Sequence, residues 1–163
     1  MSQPLNVGPL NVGIVGCGVI VNIYVHNLPR FRDLNLVACA DIRPEAAEAV
    51  AAKTGIRAMG VAELLADPGI DVVLNLTVPV VHAEVSHAAI DAGKHVYSEK
   101  PLGITAVEAE GLMAAADTKG LRVGVAPDTF LGAGHRICRE LIDGGEIGPV
   151  VAGTCFVMSA GME

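Results

Sequence analysis

Tryptophan is absent from this sequence, and aromatic side chains fill only 3% of its positions. The apolar content, 52% of the chain, sits instead in Val, Ala, Ile and Leu, the make-up of a globular α/β protein. No run of Lys or Arg occurs and the formal net charge is -7, which argues against a surface that tracks nucleic-acid phosphates. A dinucleotide is not excluded by that charge, because main-chain amides at a helix start hold phosphates locally. No apolar run reaches the roughly 18 residues needed to span a bilayer, and the N-terminus lacks the basic and apolar regions of a signal peptide. A soluble, cytoplasmic protein without membrane contact is expected. Cysteine is sparse and scattered: Cys17, Cys39, Cys138 and Cys155 form no CxxC pair and have no His at ligand spacing. No metal site is expected, and the thiols are read as buried and free in a reducing cytosol. At 163 residues the chain is too short for two ordinary domains.

What is present is an alternation. PLNVG at 4–8 repeats at 9–13, and only the second copy runs into an apolar strand. Residues 1–10 are therefore expected to be an N-terminal extension, disordered or lying at an edge. Strands are expected at 11–15, 34–40, 71–77, 94–99, 121–126 and 150–158, with helices at 19–28, 44–54, 61–66, 80–92, 105–119 and 135–144. Pro29 stops the first helix, Pro44 suits the first turn of the second and Gly55 its end, and Thr105 caps the fifth. Near-continuous apolar strands alternating with helices indicate a parallel sheet covered on both faces. The expected architecture is a doubly wound, Rossmann-type, three-layer α/β/α domain.

The first strand, turn and helix meet at GCGVIV, where Gly16 and Gly18 occupy the first two positions of a GxGxxG pattern. The first glycine permits the tight turn, and the second lets the backbone approach a pyrophosphate with no Cβ in the way. The loop Gly16, Cys17, Gly18, Val19 and Ile20 is the expected phosphate site. The third pattern position is Val21, whose branched side chain should push the helix off the sheet or be absorbed by a small neighbour. The second strand ends at Asp41, whose carboxylate suits the hydroxyls of an adenosine ribose, although an Asp at a strand-to-helix turn also serves as a helix cap. That carboxylate repels a 2′-phosphate and so favours NAD; Arg43 keeps NADP as the second option, by pairing with the phosphate or stacking on adenine.

Two further strand ends carry candidate groups. Thr77, Val78 and Pro79 stand at one carboxyl end, where open α/β sheets bind ligands, and His82 follows as either a cofactor contact or a surface histidine on a helix. Glu99, Lys100 and Pro101 stand at the next. A lysine there donates to a nicotinamide ribose or polarises an oxygen at the reacting carbon, and Glu99 tunes it or binds a ribose.

The segments GCG at 16–18, Asp41, TVPVVHAEV at 77–85, AGKHVYSEKPLG at 92–103 and LIDGGEIGPVV at 141–151 together resemble the Gfo/Idh/MocA oxidoreductases. The resemblance implies an NAD- or NADP-binding domain over 11–149, with hydride transfer at a hydroxyl-bearing carbon of a sugar, cyclitol or similar small molecule. It implies that Lys100 is a catalytic residue, and that a second, sheet-rich domain supplies further catalytic groups. On that plan residues 150–163 would be the first strand of a substrate domain the chain lacks. The isolated chain would bind its cofactor better than it turns over, and its apolar last strand would favour self-association. His135 is read as an ordinary helix-start residue, and Asp128 is left without a firm substrate role. Two alternatives stay open: a stand-alone nucleotide-binding or redox-sensing module without catalysis, and a fragment with a vestigial site.

Overall fold

The computed structural model describes residues 8–127, 129–156 and 158. The first copy of the PLNVG repeat lies largely outside the described residues, as does Asp128. The chain divides into two units, one ending at Ala126 and one beginning at Pro127.

The first unit is built from β1 (Leu10–Val15), α1 (Val21–Asn27), β2 (Leu34–Ala40), α2 (Pro44–Thr54), β3 (Arg57–Met59), α3 (Val61–Ala66), β4 (Val72–Asn75), α4 (His82–Asp91), β5 (His95–Ser98), α5 (Ala106–Thr118) and β6 (Val123–Val125). Its six strands form one sheet in the order β3-β2-β1-β4-β5-β6, with every pair parallel. The order reverses between β1 and β4. An α/β sheet binds ligands beyond the carboxyl ends of its strands at such a reversal.

Helices cover both faces because the central strands β1, β2, β4 and β5 present apolar residues to both. On one face Val15, Ala38, Val73 and Val96 pack with Leu64 of α3, Ile90 of α4 and Leu112 of α5. On the other, Val12, Ile14, Cys39 and Leu74 pack with Val21 of α1 and with Ala47 and Val50 of α2. Each fully buried Leu or Ile contributes about 1.5–3 kcal/mol from removal of its surface from water. Within β2 the alternation changes phase. Val12 pairs with Leu36 and Gly13 with Ala38, which leaves Val37 as an extra residue. Leu34 and Leu36 therefore share a face with Cys39, while Val37 shares the other with Ala38 and Ala40.

The elements begin and end where local chemistry dictates. Pro44 opens α2 and Gly55 closes it at φ 78°. Thr105 caps α5 through a reciprocal pair, its Oγ1 accepting from the Glu108 amide while the Glu108 carboxylate accepts from the Thr105 amide. The first helix starts at Val21 rather than Val19, and beyond Asn27 the chain tightens into a 3-10 turn, Leu28–Arg30, around Pro29. β3 was not anticipated. Its three residues carry no apolar run, and it is an edge strand paired with Ala38–Ala40.

The second unit contains a 3-10 turn, Thr129–Leu131, and α6 (Ala133–Asp143), with His135 exposed near the helix start. Residues 150–156 and Met158 belong to no helix or strand, so the strand expected over 150–158 is not formed among the described residues. A strand needs a neighbour to accept its main-chain hydrogen bonds, and no strand pairs with this segment among the described residues. Val150, Val151 and Phe156 are exposed.

Lys94, in the GKHV segment, fastens β5 to the loop before β4. It is 7% exposed, and its Nζ donates to the carbonyls of Asp67 at 2.6 Å and Ile70 at 2.8 Å. Replacement by Met strands the Ile70 carbonyl and leaves the Asp67 carbonyl with the Ile70 amide, at 3.2 Å, as its donor. The variant Lys94→Met is expected to lose about 2–3 kcal/mol of stability, seen as a lower urea midpoint at unchanged slope. Dinucleotide affinity should stay the same, because both bonds lie at the opposite end of β5 from Lys100.

Candidate functional site

The carboxyl ends of β1 and β4 come together with almost no room between them. The Leu76 amide donates to the Val15 carbonyl at 2.8 Å, and the Gly16 amide donates to the Ala40 carbonyl at 2.9 Å. A Cβ on Gly16 would lie 2.6 Å from the Leu76 carbonyl carbon and oxygen, and Gly16 itself sits at φ 101°. Both facts demand glycine. Gly18 is different: nothing lies within 4 Å of the position its Cβ would take, so the space above it is open. The amides of Gly18, Val19 and Ile20 donate to no acceptor among the described residues. Three free N–H groups beside an unfilled cradle suit the oxygens of a pyrophosphate. Val21, the departure from the pattern, is 2% exposed and is absorbed by a cluster that includes the small side chains of Cys17, Cys39 and Ala47.

Cys17 does not offer its amide to a ligand. That N–H donates to Asp41 Oδ2 at 2.7 Å, while Asp41 Oδ1 accepts from the Arg43 amide at 2.9 Å. The helix-cap role weighed for Asp41 is not what the structure shows. The residue at the cap of α2 is Arg43, with no side-chain bond into the helix, and Asp41 instead braces the glycine loop against the end of β2. Its oxygens keep lone pairs for further donors. The Arg43 guanidinium stands 3.7 Å from Asp41 Oδ1 and is largely exposed. The Cys17 thiol is pushed far up by its hydrogen bond with the Cys39 thiol, by burial and by the nearby Asp41 charge.

Gly16, Gly18, Asp41, Arg43, Thr77 and Val78 line one cleft of about 510 Å³ at the sheet reversal. Val19 projects into solvent, and Ile20 packs partly on the core. Pro79 opens a 3-10 turn that leads into α4. His82 corrects both of its expectations. It is 1% exposed, so it is no surface histidine, and its ring nitrogens lie 2.6 Å from the Pro101 carbonyl and 2.9 Å from the Thr77 carbonyl, so they do not face a cofactor.

At the end of β5, Glu99 is held from two sides. Tyr24 of α1 donates its hydroxyl to Oε1 at 2.7 Å, and the Lys100 amide donates to Oε2 at 3.1 Å. Lys100 is exposed, and its Nζ has no hydrogen-bond or ion-pair partner among the described residues. Of the two lysines in AGKHVYSEKP, Lys94 is therefore spent on the fold and Lys100 is available for chemistry.

Two residues of this region were not anticipated. Asn75, fully buried, donates to the His82 carbonyl and to Ser86 Oγ, both at 3.0 Å, and accepts from the Thr77 amide and hydroxyl. A lone amide inside the apolar run DVVLNLT was the signal for it. Tyr24 gave no such signal, since its partner is remote in sequence.

A glycine-lined cleft at the reversal of a parallel sheet, with free amides and an acidic residue after the second strand, defines a dinucleotide-binding Rossmann domain. The chain belongs to the GFO_IDH_MocA family, an oxidoreductase family with an NAD-binding Rossmann fold, which it matches over residues 10–126. It is 34% identical over 146 residues to a 1,5-anhydro-D-fructose reductase of Ensifer adhaerens, covering 88% of this chain and 44% of that protein. It is 34% identical over 149 residues to inositol 2-dehydrogenase 3 of Saccharopolyspora erythraea, covering 90% and 44%. A solved 3-ketoreductase from Actinomadura kijaniata, in complex with NADP and TDP-benzene, superposes with a TM-score of 0.79 at 31% identity, over 85% of this chain and 43% of that one. The chain thus spans about 44% of the length of these curated relatives.

The two glycines predict opposite outcomes. Gly16→Ala should destabilise the fold by about 1–3 kcal/mol through backbone strain and abolish dinucleotide binding. Gly18→Ala should keep its melting temperature within a degree or two and still lose affinity at least tenfold, because the new methyl occupies the cradle. Thermal unfolding with NADH titration of both variants checks this; an equal loss of stability in the two would contradict it.

Proposed function

We propose that this chain is the cofactor-binding part of an NAD(P)-dependent oxidoreductase that acts on a hydroxyl-bearing carbon of a sugar, a cyclitol or a similar small molecule. The observation that carries the proposal is the placement of an unpaired lysine, Lys100, one strand away from the glycine-lined cleft, on a loop already fixed by other contacts. The Gly18–Ile20 amides would hold the pyrophosphate, Asp41 the adenosine ribose, and Thr77, Val78 and Pro79 the middle of the dinucleotide. The nicotinamide supplies a two-electron hydride acceptor or donor. Lys100 donates a hydrogen bond to the substrate oxygen and stabilises charge that develops there. Glu99, fixed by Tyr24, orients the lysine loop and accepts from a ribose or substrate hydroxyl. The relatives named for an inositol dehydrogenase and an anhydrofructose reductase support a polyol-like substrate.

NAD is favoured over NADP, because a 2′-phosphate at the ribose would meet the Asp41 carboxylate. Arg43 keeps NADP within reach, and the NADP in the Actinomadura kijaniata structure supports that breadth in the family.

Calorimetric or fluorescence titration should give saturable NADH binding; its absence would overturn the proposal. Asp41→Ala should weaken both cofactors, through the lost brace on Cys17, and weaken NAD at least fivefold more than NADP, through the lost ribose contact. Equal losses would remove the ribose role and leave the brace alone.

A further inference from the structure

We infer that His82 is a positioning residue: it locks the loop after β4, which lines the dinucleotide cleft, to the loop that carries Lys100, so that cofactor bound at the first is felt at the second. This rests on the cofactor and lysine roles proposed above.

The inference starts from the hydrogen-bond accounting of a buried ring. His82 Nδ1 lies 2.6 Å from the Pro101 carbonyl and Nε2 lies 2.9 Å from the Thr77 carbonyl. One carbonyl belongs to the residue after Lys100, and the other to the residue before Val78. An imidazole presents nitrogens on two sides of a rigid plane, so it spaces its two partners at a fixed separation. No chain of single bonds does the same. Between Lys100 and Gly103, the contact to His82 is the one hydrogen bond to another element among the described residues. The segment around Lys100 is thus held by this ring on one side, with Leu102 packed on the core and Glu99, bonded to Tyr24, on the other.

The ring in turn is not free to move. The His82 main chain is held through its carbonyl by Asn75 Nδ2, which also donates to Ser86 Oγ one turn further along α4. Asn75 Oδ1 accepts from both the amide and the hydroxyl of Thr77, and the Asn75 carbonyl accepts from the Glu99 amide at 2.9 Å. Thr77, His82, Asn75 and Glu99 thus form one closed set of bonds that reaches both loops. Among the described residues no buried side-chain nitrogen or oxygen lacks a partner. Either ring nitrogen can donate to the carbonyl it faces, and buried polar groups in contact in this way pass a displacement at one member to the others.

The test uses the full chain with its exposed lysines converted to 13C-dimethyl-lysine by reductive methylation, the Lys100 resonance being assigned by Lys100→Arg. Saturation with NAD should move the Lys100 resonance of the unsubstituted chain. In His82→Ala the shift at saturation should fall by at least half, while NAD still binds within about tenfold of the original affinity. His82→Gln, which keeps a donor for one carbonyl, should fall in between and serves alone where the Ala variant does not fold. Lys94→Met is the destabilised control, and it should lose stability yet retain the full Lys100 shift. A full shift in the His82 variants, with only their melting temperature lowered, would make His82 a plain core residue and overturn the inference. So would a Lys100 resonance that NAD saturation leaves unmoved in the unsubstituted chain. Absence of NAD binding to that chain is a separate result, which overturns the proposed function and this inference with it.

Discussion

The approach of Gly16 to the Leu76 carbonyl leaves less room for a side chain than at any other described glycine, and most of the site follows from it. Two parallel strands that leave the sheet in opposite directions must part at their carboxyl ends, and here they part only after their main chains have nearly touched. With no side chain between them, the loop after β1 lies flat on the start of the loop after β4. The free amides of the glycine loop, the Asp41 brace and the Thr77 segment then lie around one opening. A larger residue at 16 would separate the two loops and dissolve that opening.

A second feature is the division of labour among polar groups. The sheet is held by apolar contacts on both faces, yet its carboxyl edge is organised by buried and part-buried hydrogen bonds of Asn75, His82 and Asp41. Lys94 performs a similar service at the other end of β5. At this edge of the sheet the amides from Gly18 to Ile20 and the Lys100 amine have no partner among the described residues, and Asp41 keeps lone pairs beside them. Spare donors and acceptors gathered around one cleft suit a polyanionic, hydroxyl-rich ligand.

Much of the architecture was legible in the sequence because it depends on local chemistry. β2, α2 and α3 fall at the expected residues, since Pro44, Gly55 and the apolar runs mark them. β3 was not legible, because an exposed edge strand of three residues has neither length nor alternation to reveal it. Gly16, Gly18 and Asp41 were found as a motif, but the bond from Cys17 to Asp41 was not, since a carboxylate's partner is fixed by how the loops meet. His82 was read as a cofactor contact or a surface histidine, and only the packed structure shows both nitrogens turned inward to main-chain carbonyls. The Tyr24 bond to Glu99 joins residues remote in the chain, and nothing in the spacing of either announces the other.

The clamp of Asp41 on Cys17 bears on how cofactor preference can change in this fold. One carboxylate holds the phosphate loop in shape before any ligand arrives, so the loop loses little conformational entropy on binding. On the proposed reading the same carboxylate would meet a 2′-phosphate. Selectivity and preorganisation are thus carried by a single side chain, and an exchange toward NADP cannot be a matter of removing the acid alone. It requires a replacement acceptor for the Cys17 amide from elsewhere in the loop, which makes cofactor preference here a property of two coupled positions.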